Sequence, residues 1–313
     1  MRIIRQIFVL EPWGVYVPYI YLAIIFWVLG SLSIFLNFPS HPYFMILGSY
    51  SFLFGMLQRL FFPAKKYLIF HILSFLFLAL QYKYFVILAC LTVFLGFIKS
   101  IRDVKSYGLK KLPPLNLLVI SSPLLGAISW ILYNGNYWIL VPPILSYLLG
   151  VNIGVFSATL NTRPFFGIKQ LPFIIGIIIL YFINYLLPFI LLAYFLYILR
   201  RNIRFYLTSI SVILTSVITS FSSIYLGDTI HAFMISTMSP LFFSCSLYSL
   251  ARYNHNKLII TIPFFLASYY LRFTLLTLSG LFWILTVIVY VYLVKDALGL
   301  HGLKYGNSKV YGI

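Results

Sequence analysis

Apart from two cysteines, five histidines and four acidic residues are the side chains that could move a proton or hold a metal near neutral pH. The acids, Glu11, Asp103, Asp228 and Asp296, border apolar stretches and never sit inside one. Ion-driven carriers keep an ionisable group near the bilayer midplane, where only function justifies its cost. The pattern therefore speaks against such a carrier, and against enzymes that hold magnesium on an aspartate-rich motif. Among the histidines, His255 falls in a basic loop and His301 in a polar C-terminal tail, and both read as solvated. His71 stands alone near the start of an apolar stretch and reads as packed. His41 and His231 differ: each opens an apolar stretch, and each is followed about one helix length later by an arginine, Arg59 or Arg252. If those stretches are helices running the same way, the two imidazoles reach one depth. Two neutral imidazoles on facing helices can fill both axial positions of a haem iron, and copper is a second metal that suits imidazole. The alternative for each residue is an interfacial histidine at a helix start.

The elements that would carry this pair follow from composition. The chain of 313 residues is 62% hydrophobic, 20% aromatic and 8% charged, far below the roughly 25% charge of a soluble domain. A dry bilayer core cannot satisfy backbone groups, so its spanning segments close their hydrogen bonds as helices or as a closed barrel. These apolar runs exceed strand length and do not alternate, which selects helices. A net charge of +18 on a soluble protein would suggest nucleic acid. Here the basic residues cluster between apolar segments and read as topology signals, so no nucleic-acid partner is expected. Arg2 and Arg5 precede a short apolar run interrupted by Glu11, Pro12 and Trp13, without the small-residue pattern of a cleaved signal peptide. Cys90 and Cys245 fall inside apolar segments, where buried small hydrophobes are expected and no compartment is fixed.

The segments predict an all-α polytopic membrane protein of about twelve transmembrane helices. They form one membrane domain over residues 1–313, in three four-helix pseudo-repeats at about 12–111, 112–204 and 205–298, with a polar tail over 299–313. Apolar runs at 67–101 and 171–199 are too long for one span. Gln81 to Lys83 interrupt the first, and Asn184 to Pro188 the second, so each reads as a compressed helix pair. Ten spans with two longer tilted helices is the fallback. A cytoplasmic N-terminus in the cell membrane leaves only Lys83 and Arg272, of 22 Lys and Arg, on outer turns.

Twelve helices in three rounds, with lone histidines on helices two and ten, resemble the catalytic subunits of haem–copper oxidases and the related NnrS-type membrane proteins. His41-Pro42-Tyr43 through Gly55 to Pro63 looks like that family's second helix. Asp228-Thr229-Ile230-His231-Ala232-Phe233 is similar to its entry into helix ten, though shorter before the histidine. The resemblance implies a low-spin haem b ligated by His41 and His231, with Arg272 beside a haem propionate. It also has limits. No histidine lies between His71 and His231, so the family's three-histidine copper site cannot form, and Thr229 stands where the high-spin haem ligand would be.

The leading expectation is thus a bis-histidine membrane haem protein for electron transport or gas sensing, working with a redox partner protein and not reducing oxygen. A transporter or lipid-handling protein without cofactor is the rival. Pro142, Pro143 and Pro188 inside spans and glycine breaks at Gly150 and Gly154 would suit it. A cofactor-free assembly subunit is a third reading.

Overall fold

The computed structural model describes residues 12–36, 38–106, 115–199 and 202–306, setting aside the side chains of 103–106. Arg2, Arg5, Glu11, Lys110, Lys111, Arg200 and Arg201 lie outside the described residues, as do the side chains of Asp103 and Lys105.

Among the described residues the chain is helical, and the one β-bridge, Pro12 with Ala64, is isolated. The first four helices are α1 (Tyr16–Phe35), α2 (His41–Phe61), α3 (Leu68–Ala79) and α4 (Lys83–Ser106). Next come α5 (Leu117–Leu132), α6 (Val141–Leu160), α7 (Leu171–Ile179) and α8 (Leu187–Ile198). The last are α9 (Leu207–Leu226), α10 (Thr229–Leu250), α11 (Ile262–Leu271), α12 (Leu276–Leu298) and the short α13 (Leu300–Tyr305).

Seven helical segments are long and apolar enough to cross a membrane: α1, α2, the 83–102 part of α4, 137–160, α9, α10 and α12. The others are short. At 1.5 Å per residue the 12 residues of α3 reach only about 18 Å, against a hydrocarbon core of about 30 Å.

Proline and left-handed residues set many of the breaks. Proline in the first turn costs no hydrogen bond and presets φ. Pro42, Pro142, Pro172, Pro188 and Pro263 all stand there. Gln81, at φ 63°, makes the turn between α3 and α4, and the second long run breaks between α7 and α8. Pro142 and Pro143 lie inside the 137–160 span as expected, in the first turn of α6, and Pro188 stands in the first turn of the short α8. Gly150 and Gly154, expected as breaks, lie inside unbroken α6, which corrects that reading.

The described contacts sort the turns into two ends. At one end the Lys83 ammonium donates to the carbonyls of Ile131 and Tyr133. The Tyr43 hydroxyl donates there to Gln81, and Arg272 pairs with Asp228. At the other end Gly14 N–H donates to Leu303, Gly167 N–H to Leu115, Arg204 N–H to Leu160, and the Asn254 amide to Leu293. The basic residues Arg59, Arg163, Lys169, Arg204, Arg252, Lys257 and Lys304 belong to this second end.

The interior is built on α2, α6 and α10, the most deeply buried long segments. The perimeter is apolar where a soluble protein would be polar: Ile25, Ile69, Leu95, Ile131, Ile218 and Ile288 are all exposed in mid-helix or near helix ends. Such continuous exposed apolar surface is what lipid solvates.

Candidate functional site

Helices α2 and α10 lie side by side and parallel through three contacts, each joining residues 190 positions apart. His41 meets His231 at one end, Phe52 meets Phe242 at 4.9 Å in the middle, and Arg59 donates to Ser249 at the other end. Eighteen residues of α2, from His41 to Arg59, cover about 27 Å. The two histidines therefore share one depth, as the sequence pattern requires. The second expected arginine, Arg252, does not match Arg59; Ser249 takes that position.

The His41 and His231 rings are parallel within 5°, with centroids 6.5 Å apart. An imidazole nitrogen lies about 1 Å from its ring centre and a metal–imidazole bond is about 2 Å. Two imidazoles on opposite sides of one ion would thus have centroids about 6 Å apart, close to the separation seen.

Their tautomers are fixed by what each Nδ1 meets. His41 Nδ1 lies 2.8 Å from the Gly30 carbonyl, and His231 Nδ1 lies 2.8 Å from Asp228 Oδ1. A carbonyl or carboxylate oxygen only accepts, so Nδ1 carries the proton and donates in both rings. In the neutral form each ring then has its lone pair on Nε2, the state in which an imidazole ligates a metal.

Asp228 organises one side of this site. It caps α10, with Oδ1 3.4 Å from the His231 backbone N–H, while Oδ2 receives the Arg272 Nε at 2.6 Å. Burial alone would raise its carboxyl. The His231 hydrogen bond and the positive charge of Arg272 overcome that and hold it below the usual carboxylate range. Arg272 is itself lowered, chiefly by burial and against the pull of Asp228. Sequence reading placed Asp228 within the His231 motif but assigned it no role. The signal was present, because aspartate three residues before a histidine at a helix start is an N-cap arrangement.

His41, His231 and Arg272 line one cavity of about 350 Å³, within the size range of ligand pockets, about 300–1,000 Å³. Its walls are mostly apolar, among them Ile34, Met45, Ile46, Met234, Leu276 and Trp283. Just beyond His231, residues Ala232–Met238 form a π-helical turn that delivers Met234 to the cavity. Such turns are rare and concentrate at functional sites. Gly280 also lines the cavity, and a Cβ there would meet only Phe35, at 3.8 Å.

The remaining histidines are placed differently. His255 is fully buried, which overturns its reading as solvated: the ten-residue 3-10 segment Arg252–Thr261 turns the ring inward. There Nδ1 lies 3.1 Å from the Tyr206 hydroxyl and Nε2 3.2 Å from Ser244 Oγ. His71 is packed as expected, accepting from Trp13 Nε1 and donating to the Phe62 carbonyl. His301 lies in α13, half-buried with its ring against Tyr305, so the start of the expected polar tail is a docked helix. Cys90 and Cys245 are free and buried.

Among the described residues no group of three or more His, Cys, Asp or Glu could hold a metal ion. The candidate site is a two-histidine arrangement. Comparison of the chain with protein-family models, with curated proteins and with solved structures finds no match.

Proposed function

We propose that this is a multi-pass cell-membrane protein whose cavity holds a haem b between His41 and His231, for electron transfer or gas sensing. The single observation that carries the reading is the pair of parallel imidazoles at 6.5 Å, each with Nδ1 occupied by an acceptor. In this reading the seven long apolar segments and the shorter helices between them together make up twelve spans in three sets of four. The crowding of basic residues at one end supports a cytoplasmic N-terminus.

When bound, such a haem supplies reversible one-electron transfer. The chain's own residues do the rest. Gly30 and Asp228 fix the ring orientations of His41 and His231. The apolar walls exclude water, and the Arg272 guanidinium stands at the cavity wall where a propionate carboxylate could pair with it. The oxygen-reducing copper centre is not part of the proposal, because the sequence has no histidine between His71 and His231. The natural counterparts are the surrounding lipid and a redox partner protein.

Purification in mild detergent followed by an optical spectrum and iron analysis tests this directly. The expected result is a Soret band with low-spin character that becomes high-spin in His41→Ala or His231→Ala. A colourless, iron-free wild-type protein would remove the reading, and the transporter alternative would take its place.

A further inference from the structure

We infer that the two imidazoles are unequal ligands: His231 is the fixed one and His41 the exchangeable one, so that a small neutral ligand such as carbon monoxide enters on the His41 side. This rests on the haem reading above. What distinguishes the rings is the charge and anchoring of the group behind each.

Behind His231 stands a carboxylate. A histidine ligand that donates its second N–H to an anion becomes more basic and a stronger donor to the metal. That carboxylate is tied down twice more, by the His231 backbone N–H and by Arg272 from the turn after α11. His231 is thus held by its own helix cap and by a cation on another element.

Behind His41 stands one neutral carbonyl, that of Gly30 in α1. The carbonyl is shared, because Ser33 Oγ donates to it at 2.7 Å. A neutral, shared acceptor withdraws less of the Nδ1 proton, so His41 stays the weaker donor. It also lacks any ionic anchor. When two ligands compete with a third, the weaker and less constrained one gives way.

The test uses the detergent-purified haem-loaded protein and three variants. His41→Gly should keep its haem, turn high-spin, and after reduction bind carbon monoxide at least tenfold faster than wild type. Exogenous imidazole should restore its low-spin spectrum. His231→Gly should lose most of its haem during purification. Asp228→Asn keeps an acceptor for Nδ1 but removes the charge, and should shift the midpoint potential positive while the spectrum stays low-spin. That measurement also covers the case in which a glycine variant fails to fold. Equal haem retention in both glycine variants, or an unchanged potential in Asp228→Asn, would overturn the inequality and leave the haem reading standing. A colourless wild type would remove both.

Discussion

Ring nitrogens separate the histidines of this chain more sharply than exposure does. His71 and His255 each have both nitrogens engaged by protein partners, which leaves no lone pair for a metal. His41 and His231 each have a protein partner on Nδ1 alone. His255 carries its own prediction. Burial, aided by the charge of Arg252, pushes it down to about 4 from 6.5. Between those values the unfolded chain binds a proton that the folded chain refuses, so the stabilisation is present above about pH 6.5 and is lost as pH falls towards 4. Thermal unfolding in detergent should show Tm falling over this window, and His255→Gln should flatten the fall; an identical slope in the variant would show that His255 does not titrate there. The pairing of His41 with His231 was legible in the sequence because both open apolar helices. The burial of His255 was not, because its neighbours Arg252, Asn254, Asn256 and Lys257 read as a solvated loop. Only the 3-10 geometry reveals that the ring points the other way.

Helix by helix, the breaks were the legible part, and their physical cause is local. Proline presets the first turn at Pro42, Pro142, Pro172, Pro188 and Pro263, though Pro123 sits inside α5, and the polar Gln81-Tyr82-Lys83 marks the turn between α3 and α4. The π turn after His231 was not legible, since no residue type specifies it and tertiary packing decides it. The docking of α13 was hidden for a similar reason: it depends on two glycines far apart in sequence. A Cβ on Gly14 would run into the backbone of Gly302 and Leu303, where Gly14 N–H now donates to Leu303 at 2.8 Å. Gly14→Ala should therefore push α13 away at a cost of about 1–3 kcal/mol. Hydrogen exchange should quicken over 300–305 while α2 and α10 stay protected, and unchanged protection of α13 would show that the contact tolerates a methyl group.

For the whole molecule, the segregation of charge between the two ends is the feature that the placement of Lys and Arg along the sequence announced. Its orientation in a membrane can be tested cleanly, because both native cysteines are buried and add little background labelling. Tyr82 and Ile168 are well exposed at opposite ends, at 71% and 80%. In intact cells, Tyr82→Cys should react with an impermeant maleimide from outside, and Ile168→Cys only after permeabilisation; the reverse pattern would invert the topology. The 190-residue interval between the contacts of α2 and α10 also sets a schedule for biogenesis. At roughly 5–20 residues per second, His41 is synthesised about 10 to 40 s before His231. Through that interval the first helical hairpin waits without the second imidazole, so any prosthetic group held by both rings can be locked in only after three quarters of the chain has been translated.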